Sequence, residues 1–225
     1  MESTKARAIL FADLRGSTAL YLKLGNTEAA TVVTHSLALL GQIIGRFGGR
    51  VVKTLGDGLM AVFEDAERAV EAATNLHESL DRAAQLDGDI TAPVKLKVGL
   101  AWGEMVEVDG DCFGDAVNVA ARILDLAGDN ETLTTGQLLA QLPPDKHEHF
   151  RSIDKLHLRG RKEPVPVLRM ESRRFGDTMI TQIMDAPLSD MPDGIRLLGH
   201  GIERMFSTAS MPLVLGRSQI GRAHV

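Results

Sequence analysis

Two polar side chains interrupt an otherwise apolar segment in the middle of the chain. The segment FGDAVNVAAR covers residues 113–122 and contains Asn118 and Arg122. Residues four apart lie one turn apart on the same face of a helix, so an amide and a guanidinium would lie side by side. Asp115 is positioned to cap this helix. The pair is either a solvent-facing stripe or two hydrogen-bond donors for an anionic ligand.

Two aspartates lie where predicted strands end. Asp13 follows the apolar run of residues 6–14, and Asp57 lies in the GDG turn of a predicted hairpin. Carboxylates that meet at one edge of a sheet hold hard divalent cations through oxygen. A helix predicted to begin near Ser17 would leave backbone N–H groups free to hold phosphates. Each aspartate by itself is more often a turn or cap residue.

A lysine and a third aspartate are further candidates for binding a polar ligand. Lys53 lies inside a predicted strand, although a single such lysine more often reaches solvent at an edge. Asp111 lies in a Gly/Asp-rich connector before Asn118 and by itself predicts a loop acid. The histidines include no HExxH pattern, and His147 and His149 lie in a polar segment that does not favour a metal site.

The elements that must position these residues alternate between strand and helix patterns. The order βαββαβ with extra strands predicts an α+β fold: a ferredoxin-like core with a mostly antiparallel sheet covered by helices. We expect strands at 6–14, 50–63 (a hairpin), 94–108 (two strands), 132–135 and around 157–170, and helices at 26–47, 64–86, 136–142 and from Asp115 onward.

Composition excludes several classes of protein. The chain has 225 residues, 44% hydrophobic and 24% charged, which is typical of a globular domain. A net charge of −5 disfavours a nucleic-acid partner. Cys112 is the single cysteine, which excludes an intrachain disulfide and a cysteine metal cluster. No segment has the pattern of a signal peptide or a membrane span, so we expect a cytoplasmic protein without a membrane partner.

Three motifs in this order resemble the catalytic domain of class III nucleotidyl cyclases: FADLRGST, KTLGDG and GDCFGDAVNVAAR. The resemblance runs from about residue 6 to about residue 172 and ends with LRGRKEPVPVLRM, which is similar to the family's closing strands. It implies the nucleotide cyclase fold and an adenylate cyclase that converts ATP to 3′,5′-cyclic AMP and pyrophosphate. It also implies two Mg²⁺ or Mn²⁺ ions per site and a homodimer with shared active sites.

The resemblance implies roles for four side chains at the ends of the nucleotide. Asp13 and Asp57 match the two metal-binding aspartates of the family. Lys53 and Asp111 match the pair that recognises the adenine base.

It implies further roles along the ribose and phosphates. Asn118 matches the residue that orients the ribose, and Arg122 matches the one that stabilises the reacting phosphate. Arg159 is the candidate for the β- and γ-phosphates, with Arg161 as a competitor and a solvated charge run as the simpler interpretation.

Other functions remain open from the sequence. A cyclase-like domain that only binds nucleotide or dimerises is one alternative, although such a module is expected to have lost one of the six residues. A guanylate cyclase would favour Glu at position 53 and a small residue such as Cys at position 111. The GG[DE]EF turn of a diguanylate cyclase is absent. Cys112 stands where many family members have an aromatic residue. The connector from Gly103 to Asp111, which helps relatives to dimerise, is short.

The sequence after the resemblance changes character. We predict a catalytic domain at 1–175, a linker at 176–194, and the truncated start of a forkhead-associated domain at 195–218. The segment GIRLLGHGIERMFSTASMPLVLGRS resembles that domain's opening strands, which implies a phosphothreonine protein partner. Residues 219–225 back-translate to a common sequencing adapter, so we expect a non-native tail there.

Overall fold

Most of the predicted site residues lie on one mixed sheet and the helices against it. The structure, a computed structural model, describes residues 4–86, 94–157, 163–171, 194–199 and 202–207. The chain divides into two units, Met1–Ser172 and Arg173–Val225. The elements of the first unit are β1 (Lys5–Arg15), α1 (Ser17–Leu24), α2 (Asn26–Arg46), β2 (Arg50–Leu55), β3 (Gly58–Phe63), α3 (Ala66–Leu86), β4 (Lys95–Val108), β5 (Asp111–Phe113), α4 (Asp115–Leu126), β6 (Thr132–Thr135), α5 (Gly136–Leu139), a 3-10 helix (Pro144–His149), β7 (Phe150–Leu156) and β8 (Val165–Met170).

The sheet confirms the predicted α+β fold. Its strand order is β2-β3-β1-β4-β6-β8-β7, and β5 pairs with β4 at the side of this path. The first four strands in this order pair antiparallel, as a ferredoxin-like core requires. β6 then pairs parallel with β4, and β8 and β7 continue antiparallel. The described helices include none that is both long enough and apolar enough to cross a membrane.

Alternation along β1 divides the core between the two faces of the sheet. Ala8, Leu10 and residues in register with them pack against α1, α2 and α3. Ile9 and Phe11 belong instead to the cluster that includes α4. Because successive strand residues point to opposite faces, Asp13 lies on the α4 side. Lys53 lies on the same side, since its register partner Met60 belongs to the α4 cluster.

Helix α4 lies very close to β4 because glycine occupies the point of contact. A Cβ atom at Gly99 would lie 2.6 Å from the Ala120 carbonyl oxygen and 2.7 Å from the Leu124 nitrogen. No larger residue fits without moving the helix. This glycine therefore fixes the height at which α4 carries Asn118 and Arg122 over the sheet.

Three local predictions were wrong. Residues 95–108 form the single strand β4 rather than two strands. The strand expected near 157 lies earlier, at β7, and His147 and His149 lie in the 3-10 helix. Gly114 occupies the cap position of α4, and Asp115 is the first helical residue, where its charge still complements the helix dipole.

The second unit contains an antiparallel hairpin of β9 (Gly194–Gly199) and β10 (Ile202–Ser207). The hairpin lies in the segment predicted to open a second domain. The predicted linker up to residue 193 and the predicted tail at 219–225 lie outside the described residues.

Candidate active site

Asp13 and Asp57 come together because the β2–β3 turn lies against the end of β1. Asp13 pairs in register with Gly58, and the Leu14 backbone N–H donates to the Asp57 carbonyl oxygen at 3.1 Å. A Cβ atom at Gly58 would lie 2.7 Å from the Ala12 carbonyl oxygen and 3.1 Å from the Asp13 carboxylate. Glycine at this position therefore lets the turn approach the strand closely enough for the two acidic side chains to meet.

The two carboxylates form a like-charged pair. Burial raises the pKa of Asp13, and the charge of Asp57 together with the hydrogen-bonding contact between the two side chains raises it further. The charges of Lys97 and Arg15 act in the opposite direction on the same pKa. Two carboxylates in contact suit a divalent cation bound through oxygen. The described residues contain no group of three or more His, Cys, Asp or Glu that could hold a metal ion. Substrate phosphates, water and backbone carbonyl oxygens are the other oxygen ligands that such a cation accepts.

Ser17 joins this pair through its side chain. Its hydroxyl donates a hydrogen bond to Oδ2 of Asp57, and Ser17 is buried at the first residue of α1. From the sequence alone, Ser17 is predicted only as the start of a helix. Its contact with Asp57 spans 40 positions of the chain, so no local pattern reveals it.

Lys97 is a second site residue that the sequence analysis missed. It pairs in register with Asp13 across β1 and β4, and it is only 9% exposed. The signal was a lysine within the apolar strand KLKVGLAW, the same signal that singled out Lys53. A buried ammonium beside the carboxylate pair supplies positive charge for an anionic ligand.

Lys53 and Asp111 form the second cluster. The Lys53 ammonium donates to Asp111 Oδ2 at 2.6 Å, and the Cys112 backbone N–H donates to Oδ1 at 2.8 Å. The hydrogen bond from Lys53, followed by that from Cys112, lowers the pKa of Asp111. A register shift between Val51 and Lys53 re-aims the lysine within β2. The pair is about one-third exposed and presents one donor and one acceptor side by side.

Asn118 and Arg122 lie on the outer face of α4. The opposite face of the helix, which includes Val119 and Ile123, is buried against the sheet. Both polar residues are exposed, and Arg122 makes only a loose ion pair of 3.7 Å with Asp125. An exposed pair of this kind holds the guanidinium weakly, so Arg122 is free to bind an anion.

Six of the seven candidates thus fall into three local groups: Asp13 with Asp57, Lys53 with Asp111, and Asn118 beside Arg122. Arg159 and its competitor Arg161 lie outside the described residues. A cavity of about 420 Å³ lies at the opposite end of β1 from Asp13 and is lined by none of these candidates. Two of its basic residues, Arg7 and Arg50, are paired with Glu64 and Glu107 at 2.7 and 2.9 Å.

The fold and the three groups define a nucleotide-cyclase type of domain, and the comparisons agree. Residues 1–170 match the family described as the adenylate and guanylate cyclase catalytic domain. The chain belongs to this family.

Relatives and solved structures of the family extend the comparison. The chain is 36% identical over 120 residues to an adenylate cyclase of Streptomyces coelicolor. The aligned segment covers 53% of this chain and 30% of that protein. It is 35% identical over 133 residues to an uncharacterized protein of Mycobacterium tuberculosis, and thus spans 33% of that relative's length. An adenylate/guanylate cyclase/hydrolase structure from Silicibacter pomeroyi superposes with a TM-score of 0.64 and 26% identity, covering 76% of this chain and 99% of that chain.

Proposed function

We propose that the chain is the catalytic region of an adenylate cyclase, which converts ATP to 3′,5′-cyclic AMP and pyrophosphate. The observation that carries the choice of base is the Lys53–Asp111 pair at 2.6 Å. Adenine presents a ring acceptor to the lysine and an exocyclic amine to the carboxylate, whereas guanine presents a carbonyl and an N–H. Matched polar groups at such a site are the strongest basis for discrimination. The similar cyclase of Streptomyces coelicolor bears the name of the same activity.

The reaction needs no protein nucleophile. The ribose 3′-oxygen attacks the α-phosphorus, a new P–O bond forms, and the bond to the oxygen bridging the α- and β-phosphorus breaks to release pyrophosphate. Asn118 would orient the ribose so that the 3′-oxygen is in line. Arg122 would donate to the α-phosphoryl oxygens, where negative charge grows in the transition state.

Asp13 and Asp57 would hold the divalent ions, Mg²⁺ or Mn²⁺, two per site. Such ions lower the pKa of the 3′-hydroxyl and neutralise the triphosphate when bound. Lys97 and the backbone N–H groups at the start of α1 would bind the phosphates beside the carboxylates. Arg159 remains a prediction for the β- and γ-phosphates.

The active site would be shared between two copies of the chain. Lys53 and Asp57 are only four residues apart on one hairpin, yet their proposed roles lie at opposite ends of the nucleotide. A twofold homodimer resolves this conflict. Asp13 and Asp57 of one chain would face Lys53, Asp111, Asn118 and Arg122 of the other, which creates two equivalent sites at one interface.

One assay tests the proposed activity. The purified chain is incubated with Mn²⁺ and either ATP or GTP, and the cyclic nucleotide is quantified. We expect cyclic AMP to exceed cyclic GMP. Predominant cyclic GMP would assign a guanylate cyclase, and nucleotide binding without turnover by the dimer would assign a binding module. Either result contradicts the proposal.

Beyond the catalytic region, we propose the domain organisation predicted from the sequence, with a cytoplasmic location. The β9–β10 hairpin is compatible with the opening strands of a forkhead-associated domain at 195–218. Such a domain would bring a phosphothreonine protein as partner. The sequence of the source gene tests the assignment: the remaining strands of that domain after residue 218 would support it, and unrelated sequence there would contradict it.

A further inference from the structure

The hydroxyl of Ser17 is buried and makes a defined hydrogen bond. Ser17 is 9% exposed and begins α1, directly after Gly16, whose carbonyl accepts the first helical hydrogen bond from Leu20 N–H at 3.0 Å. Leu20 itself is fully buried, which anchors this turn of the helix in the core. The Ser17 side chain therefore has a defined direction, toward Oδ2 of Asp57.

Asp57 needs such support more than Asp13 does. Asp13 lies within β1 and is paired on both sides, with Gly58 of β3 and Lys97 of β4. Asp57 lies in the two-residue turn between β2 and β3, outside the paired register of these two strands. The like charge of Asp13 also pushes against it. A hydrogen bond to one carboxylate oxygen holds the other oxygen in a constant direction.

We propose that Ser17 is a positioning residue that orients the Asp57 carboxylate for binding divalent metal ions. This inference rests on the proposed function of Asp13 and Asp57. Partners that hydrogen-bond to metal ligands typically change metal affinity by about 10–100-fold when they are removed. Mg²⁺ requires near-ideal octahedral geometry, so a rotating carboxylate should weaken Mg²⁺ binding more than binding of the larger Mn²⁺.

The test measures metal binding separately from turnover. Mn²⁺ is titrated into the full chain without nucleotide, and free Mn²⁺ is followed by electron paramagnetic resonance. The half-saturating Mg²⁺ and Mn²⁺ concentrations for activity are then measured at saturating ATP. The variants are Ser17→Ala, Ser17→Cys, which fills the same space with a weak donor, and Ser17→Thr, which keeps the hydroxyl. Ser79→Ala on α3 controls for loss of a serine hydroxyl elsewhere.

We expect Ser17→Ala and Ser17→Cys to weaken Mn²⁺ binding by about tenfold and to raise the half-saturating Mg²⁺ by a larger factor. Ser17→Thr and Ser79→Ala should stay within about twofold of the wild type. Wild-type Mn²⁺ affinity in both Ser17→Ala and Ser17→Cys overturns the proposal, as does an equal loss in Ser17→Thr. If Ser17→Ala does not fold, the comparison of Ser17→Cys with Ser17→Thr decides whether the hydroxyl is required. A wild type that binds Mn²⁺ but forms no cyclic nucleotide contradicts the proposed function and leaves the Mn²⁺ titration to decide the role of Ser17.

Discussion

The two ends of the proposed nucleotide site are in opposite electrostatic states. At one end, Asp13 and Asp57 bring like charges into contact, and the pKa of Asp13 is raised. At the other end, Lys53 and Asp111 neutralise each other at 2.6 Å, and the pKa of Asp111 is lowered. The same small sheet therefore carries one pair that repels and one pair that attracts.

The difference shows which of the two pairs has its charges balanced by residues of the chain itself. The carboxylate pair is electrostatically unfavourable until a cation binds, so its stability should depend on metal. The Lys53–Asp111 pair satisfies its own charges and arrives preorganised, so it should select a base rather than depend on ions. Changes at the first end should act on the rate and on stability without metal, and changes at the second on substrate choice.

The largest expected effect comes from removing one residue from each half of the shared site. Asp13→Ala and Arg122→Ala homodimers should each lose roughly two to three decades of activity, the loss typical for a group that stabilises transition-state charge. A mixture that exchanges subunits should recover about one quarter of wild-type activity, because half of the dimers are mixed and each mixed dimer has one intact site. Cyclic AMP formation measures the recovery.

A matched control uses Asp13→Ala mixed with Asp57→Ala, which places both defects in the same half of the site. That mixture should stay inactive. If the Asp13→Ala and Arg122→Ala mixture also stays inactive while subunit exchange is demonstrated, the shared site is wrong.

The next largest effect is expected from replacing the attractive pair of Lys53 and Asp111. The double variant Lys53→Glu with Asp111→Cys presents an acceptor in place of the donor and removes the carboxylate, which suits guanine. Two polar mismatches of about 1–3 kcal/mol each predict a loss of ATP turnover of at least about 30-fold, with a gain in GTP turnover. The ratio of kcat/KM for ATP and GTP is the measurement.

The single variants serve as controls, since each leaves one charged group without its partner and should lower turnover of both nucleotides. Full ATP activity in the double variant would show that these two residues do not recognise the base.

The fold was predictable where pattern and burial agree. Helices α2 and α3 are visible in the sequence because each buries one apolar face, which gives a helical periodicity. The β2–β3 turn is visible because Asp57 is flanked by glycines. β4 was divided wrongly because Gly99 and Gly103 resemble breaks in a strand. Both glycines instead make room for α4, with a Cβ at Gly103 lying 3.0 Å from the Ala116 side chain. β7 was misplaced because its residues are largely exposed, which leaves no apolar alternation to detect.

The site was predictable through motifs, whereas its internal contacts were not. Lys53 and Asp111 were candidates in the sequence, but their ion pair joins positions 58 residues apart. Lys97 carries the same signal as Lys53 but matches none of the three motifs, and only the pairing of β4 with β1 shows that it lies beside Asp13. The role proposed for Ser17 likewise rests on a contact between the start of a helix and a distant turn.

A smaller effect is expected from a buried histidine outside the proposed site, and it concerns stability rather than activity. His77 on α3 contacts the Thr132 hydroxyl at 2.8 Å, and burial lowers its pKa from 6.5 to about 4, with the charge of Asp81 acting in the opposite direction. The folded state therefore favours neutral His77, and stability is lost as the pH falls from about 6.5 toward 4. One such group predicts a loss of about 2 kcal/mol in the free energy of unfolding by pH 5.

Urea unfolding at pH 8 and pH 5 measures this loss. His77→Gln should reduce the difference between the two pH values, whereas the exposed His35→Gln should leave it unchanged. An identical pH dependence in wild type and His77→Gln would remove His77 as its cause.

The smallest effect concerns the repelling pair itself. Because the pKa of Asp13 is raised, ionising Asp13 in the metal-free protein costs folding free energy, and Asp13→Asn removes that cost. In the presence of a chelator, Asp13→Asn should raise the free energy of unfolding, and Tm with it. Saturating Mn²⁺ should then stabilise the wild type more than the variant, since binding to the folded state alone shifts unfolding by mass action. The exposed Asp145→Asn is the control and should change neither value. A wild type that is the more stable of the two without metal would show that the like-charged contact does not govern this end of the sheet.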